Sequence, residues 1–272
     1  MDDTPHSDAT PTDDATPDAD TVSDAERHSA RAALYSAAAG VFCYPDEELV
    51  AELTHDETAA GLREAGRKLD LESEVEGLLD ALDGTTRDDL EPAYNELFGM
   101  PGDDGTYPVV PYEAEYTVGE EVGRQQRRIA TVVGLLEAFG VEPADQFDER
   151  QDHVVVELEL VQVLAARRAV AREQDEEDTA ANLERAEAMV LDEHLGDFVP
   201  AFAHEVREST PDPDGDAESA SDPDEDASAS DSAAAVYRAA ADLAAAVVTR
   251  DVATHPEPDV DFDGSSEVRS RA

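Results

Sequence analysis

The chain has one cysteine (Cys43), one lysine (Lys68) and no tryptophan. A single cysteine excludes an internal disulfide framework and any zinc site built on several thiolates. In an apolar helical run it reads as a small packed hydrophobe, which fits a reducing compartment. There is no G-x-G-x-x-G and no G-x-x-x-x-G-K-[ST] segment, so the usual nucleotide-phosphate cradles are missing. No serine stands in a G-x-S-x-G elbow. No window approaches 18 consecutive apolar residues, so nothing is expected to insert stably in a membrane. The Asp/Thr/Pro-rich first 20 residues lack the apolar stretch of a signal peptide. The expected location is the cytoplasm.

What the chain has in excess is acid. It carries 68 Asp and Glu against 19 Lys and Arg, a formal net charge of -49 over 272 residues. Such a surface repels nucleic-acid phosphates and is better matched to a basic segment of another protein. The acid is spread through tails and helices alike, and the bases are almost all arginine. That pattern suits a surface that stays soluble in molar salt. At about 1 M salt the Debye length is only about 3 Å, so recognition must rest on short-range apolar and hydrogen-bonded contacts.

Apolar residues recur at helical spacing along most of the chain. Ala30, Ala33, Leu34, Ala37, Ala38, Val41 and Phe42 mark a first helix from Asp24, stopped by Tyr44-Pro45. Shorter helices are expected over 46–53, 58–69 and 71–82. Leu90, Tyr94, Leu97 and Phe98 share one stripe of a helix over 86–98, closed by Gly99 and Pro101. A Gly/Asp/Pro loop follows over 102–111. The next helices are placed at 112–139 (ended by Gly140), 152–173 (with Asp152 as its N-cap), 178–194, 198–206 and 233–249. No segment shows sustained alternation of the strand type. The expected fold is all-α, a single globular bundle of about nine or ten helices over 26–250. Residues 1–25, an acidic insert over 209–231 and the tail over 251–272 are expected to be disordered.

Two groupings carry candidate chemistry. His153 and Glu157 lie one helical turn apart, with Asp152 beside them. Joined by His194, they offer a metal-dependent hydrolase site; the plainer reading is a helix cap and a paired histidine. The second grouping is aromatic: Tyr94 and Phe98 on one helix, then Tyr107, Tyr112 and Tyr116 with Glu113 and Glu115 among them. A tyrosine-lined cleft with carboxylates suits an apolar peptide that bears arginine. A structural helical adaptor without a peptide groove is a third reading.

Four segments occur in a recognisable order: AYNELFGMP (93–101), YPVVPYEAEY (107–116), QDHVVVELELVQVL (151–164) and HLGDFVPAF (194–202). Together they resemble the TorD/DmsD/NarJ family of redox-enzyme maturation chaperones. Gln151 stands where that family often has proline, Phe198 where it often has tryptophan, and the acidic insert is extra. The resemblance implies an all-helical protein that is not an enzyme and needs no cofactor of its own. It implies binding to the twin-arginine signal peptide, or N-terminal region, of a molybdopterin-containing reductase subunit until the molybdenum cofactor is inserted. The client would be of the dimethyl-sulfoxide/trimethylamine-oxide reductase or nitrate reductase type. The implied peptide-binding residues are Asp152, His153 and Glu157, with Tyr112, Glu113 and Tyr116. Monomer and dimer are both compatible with the pattern.

Overall fold

The computed structural model describes residues 22–99, 107–119, 121–144, 147, 149–210 and 225–255, with side chains from 232 onward in the last stretch. The expected disorder at 1–21, 211–224 and 256–272 lies outside the described residues. Among the described residues the regular structure is helical, as expected. The one exception is an isolated antiparallel bridge between Tyr112 and His153.

The helices are α1 (Asp24–Val41), α2 (Glu47–Leu53), α3 (Asp56–Leu69), α4 (Glu72–Leu82) and α5 (Arg87–Phe98). Then come α6 (Glu113–Thr117), α7 (Val122–Phe139), α8 (Val154–Glu173), α9 (Glu177–Val190), α10 (Gly196–Ser209) and α11 (Glu225–Thr254). A π-helical turn, Leu191–Leu195, joins α9 to α10. The extra helix relative to expectation comes from the segment 112–139. It divides into α6 and α7 because Gly119 takes a left-handed conformation, φ 64°, between them.

Helix α1 is central. Ser23 and Glu26 close a capping box at its start: the Glu26 amide donates to Ser23 Oγ at 3.2 Å, and the Ser23 amide donates to Glu26 Oε2 at 3.0 Å. Its buried face of Leu34, Tyr35 and several alanines packs along α8, and α3 and α11 also lie against it. The small alanines permit close helix approach. Helix α8 is buried on most sides, from Val154 through Ala165.

Helix α11 starts at Glu225, so 225–231, expected within the acidic insert, lie in helix. Its Ser232–Thr254 stretch is long and apolar enough to cross a membrane by composition, and half of it is buried inside the fold. Val236, Tyr237, Ala240, Leu243, Ala244 and Val247 are fully covered, and the helix packs on α1, α4, α5 and α10. The apolar face is thus used as protein core.

Candidate functional site

The bridge between Tyr112 and His153 brings two of the singled-out segments side by side. The Glu113 amide donates to Asp152 O at 2.9 Å, and the Val154 amide donates to Pro111 O at 2.8 Å. This pairing extends the chain at Asp152, so Asp152 does not cap α8 as expected. Its carboxylate caps α6 instead, accepting from the Ala114 amide at 3.2 Å. Arg150 grips the same carboxylate with two parallel bonds, Nε at 2.9 Å and Nη2 at 2.7 Å. The N-cap of α8 is His153, whose Nδ1 accepts from the Val155 amide at 3.2 Å. Its ring meets Tyr112 and Phe147 edge to face, at centroid distances of 5.5 and 5.4 Å. Burial pushes the His153 imidazole down to about 3, so it is neutral at neutral pH and acts as cap and packing.

Beneath the bridge lie Glu113, Glu157 and His194, all buried. The π-helical turn delivers His194: the Gly196 amide reaches back five residues to Leu191 O. A Cβ on Gly196 would stand 2.8 Å from that carbonyl, so only glycine fits there. Glu113 accepts from Arg128 Nε at 2.5 Å, and its other oxygen lies 3.1 Å from His194 Nδ1. Neither oxygen of Glu157 has a donor. Burial, followed by the charges of Glu113 and Asp152, raises the Glu157 carboxyl well above the ordinary range. That direction favours the protonated carboxyl, and Glu113 is its neighbour. One proton there leaves Glu113 and Arg128 as a balanced pair. Ligand atoms of Glu113, Glu157 and His194 lie within 4.8 Å of one another, so the donor set also suits a divalent cation.

A titration separates these states. A carboxyl raised in the folded state gives stability that is fully present below the ordinary carboxylate range. It is lost as pH climbs toward the raised value, at about 1.4 kcal/mol per pH unit. Glu157→Gln keeps the shape and offers an N–H to Glu113 without titrating. In urea melts from pH 5 to 9, the variant is expected to gain on the wild-type chain steadily with pH. Parallel curves would rule out the buried proton, and a cation-filled site would instead make the variant weaker at every pH.

The hydrolase reading needed His153, Glu157 and His194 together. Among the described residues, His194 and Glu157 meet with Glu113, and His153 Nδ1 is engaged at the α8 amide end.

At the surface, the Arg150 guanidinium lies 4.4 Å from the Tyr112 ring centroid, within cation–π range. Its Nη1 also reaches Glu115 at 3.2 Å. Tyr112 donates to Glu149 at 2.5 Å. Tyr116 donates to Val110 O at 2.8 Å and to Glu205. Burial and then the Glu149 carboxylate raise the Tyr94 phenol. Tyr94 in turn contacts exposed Tyr44 at 5.3 Å and Phe98 at 5.2 Å. The six implied residues therefore meet in one region. Asp152, His153, Glu113 and Glu157 are buried in it, while Tyr112 and Tyr116 are half-buried.

A family model described as "Nitrate reductase delta subunit" matches residues 64–204, just over half of the chain. The chain belongs to this family. No curated protein and no solved structure matches it. The nitrate reductase delta subunit family comprises the NarJ/TorD-type chaperones of molybdoenzyme maturation, as the four sequence segments implied. The matched stretch holds all six residues named above. It omits α1, α2 and α11, although α1 and α11 supply much of the core of this delta-subunit-family protein.

Sequence reasoning passed over Glu149, Arg150 and Arg128. Residues 141–151 fall between the helices expected at 112–139 and 152–173, and a lone arginine two places before Asp152 has no periodicity to mark it. Its one signal was its sign, a base two places before Asp152 in an acidic stretch.

Proposed function

We propose that this chain acts by binding, without catalysis, in the cytoplasm, and holds the twin-arginine signal peptide or N-terminal region of a molybdopterin-containing reductase subunit before cofactor insertion. The family's description favours a nitrate reductase client; a dimethyl-sulfoxide or trimethylamine-oxide reductase fits the same chemistry.

The observation that supports this reading most is the setting of Arg150. A guanidinium here has a half-buried aromatic face, a buried bidentate carboxylate and a second, exposed acidic neighbour. An arginine of an incoming leader would use the same Tyr112 face and the exposed carboxylates Glu115 and Glu149. Buried Glu113, Glu157 and His153 would hold the bridge that sets these groups in place. The apolar stretch of the leader would lie along Tyr44, Tyr94 and Tyr107.

The test is a peptide titration at molar salt, with a leader peptide carrying two arginines before an apolar stretch. Its twin-lysine counterpart is expected to bind at least tenfold more weakly, because lysine cannot make the planar bidentate contact. Equal affinities would overturn the reading.

A further inference from the structure

Basic residues are few beside the 68 acidic ones of this chain, and five arginines gather in one place away from the site above. Arg27, Arg31, Arg168, Arg172 and Arg250, five of 18 arginines, line one cavity of about 390 Å³. Four segments build it: α1, α8, α9 and the end of α11. Arg27 and Arg31 stand one helical turn apart on α1, and Arg168 and Arg172 one turn apart on α8, which packs against it. Like charges at this spacing are mildly destabilising on a helix. Here the arrangement occurs twice, on facing helices, in a protein of net charge -49.

The carboxylates do not account for it fully. Only Asp24 and Glu184 line the cavity. Glu187 and Asp251 answer Arg31 at 2.8 and 2.6 Å from below, fully buried, and Arg172 turns to Glu177 at 2.6 Å. Arg168 bonds Glu184 at 2.6 Å and Glu187 at 3.1 Å; Arg27 bonds Asp24 at 2.8 Å. Donors are nonetheless left over. Nη2 of Arg31, a side chain only 2% exposed, has no acceptor, and neither has Nε of Arg168 or of Arg172. A buried guanidinium N–H without an acceptor is costly, and five donors per arginine in fixed forks suit a tetrahedral oxyanion.

We infer that this cavity is a binding site for a small phosphate-bearing anion. Its forks come from side chains, where common nucleotide sites use a glycine-rich loop and a lysine. The local field agrees. Burial first, and then the charges of Arg168 and Arg31, push the His28 imidazole at the cavity wall down to about 3. The chain's overall charge repels anions at long range, so recognition here is by short contact.

The test uses the full chain, with inorganic phosphate and pyrophosphate as probes and sulfate at equal ionic strength as the reference. One saturable site is expected by calorimetry, together with a rise in Tm that sulfate does not match. Arg27→Gln with Arg172→Gln, at the mouth of the cavity with side chains 39% and 24% exposed, should lower phosphate affinity at least tenfold with only a small change in the ligand-free Tm, since their partners Asp24 and Glu177 are exposed and such pairs add little stability. Arg172→Lys, which keeps the charge and the fold, should also weaken binding through loss of the fork. Arg124→Gln, on α7, should bind as the wild-type chain does. Absence of saturable binding, an equal response to sulfate, or unchanged affinity in the mouth variants would overturn the inference. Each of those results would mean that the arginines serve only to fasten the helices together.

Discussion

Asp251→Ala is expected to destabilise the fold by about 3–5 kcal/mol, the range for removing one partner of a buried ion pair. Asp251 is fully buried near the end of α11 and accepts from Arg31 Nε at 2.6 Å, Tyr35 OH at 2.9 Å and Arg250 Nη1 at 3.3 Å. Burial works against the charge on Arg31, and the attraction of Asp251 and Glu187 outweighs it. Removing Asp251 leaves Arg31 with Glu187 alone and the Tyr35 hydroxyl without an acceptor. Glu187 already serves Arg31, Arg168 and His255 through one oxygen, Oε2. Burial would raise it, but the bond with His255 and the charges of Arg31 and Arg168 bring it down to about 2. The network joins α1, α8, α9 and α11, so the loss falls on the packing of the whole bundle. Asp251→Asn, which keeps the shape and an acceptor oxygen, should fall between the two in urea melts. A loss under about 1 kcal/mol for the alanine variant would mean that these charges do not hold the bundle.

The same network marks where sequence reading stops. The stripe Leu34, Ala37, Ala38, Val41 announces α1, and Gly140, at φ 60°, ends α7 where a glycine C-cap was expected. Both are local patterns. Arg31, Glu187 and Asp251 are charged residues on helical faces, and local spacing assigns such residues to solvent. Their partners lie 156 and 220 residues away, so no window contains the pair. The π-helical turn is hidden for a related reason. One additional residue in a turn shifts the apolar register only slightly, yet it turns His194 inward onto Glu113. Residues 112–139 misled in the opposite way. Tyr116, Val122 and Ile129 keep a helical rhythm across Gly119, while the backbone breaks at that glycine.

The candidate site was legible as a set of residues and not as an arrangement. Asp152, His153, Tyr112 and Glu113 were chosen together because of their segments. That they meet in a two-residue bridge depends on backbone bonds between loops about 40 residues apart. Which carboxylates are buried and which face water follows from that bridge, and no spacing in the sequence reports it.

The bridge also makes the second large effect specific. Asp152→Ala with His153→Ala is expected to lower affinity for a twin-arginine leader peptide at least tenfold, about 1.4 kcal/mol, with helix content by circular dichroism unchanged. The double variant removes the cap on the Ala114 amide, the cap on the Val155 amide and the carboxylate under Arg150. Each lost cap costs about 1 kcal/mol of local stability, too little to unfold α8, whose buried residues run along its whole length. The Tyr112 ring, released from its partner His153, would no longer present its face to a guanidinium. Arg150→Ala is the informative companion. If a leader arginine takes the place of Arg150 on Tyr112 and Asp152, removing Arg150 should leave binding equal or make it tighter, while the double variant weakens it. If Arg150→Ala weakens binding as much as the double variant does, Arg150 is a strut of the site and the leader docks elsewhere. If neither variant changes affinity, the bridge has no part in peptide binding.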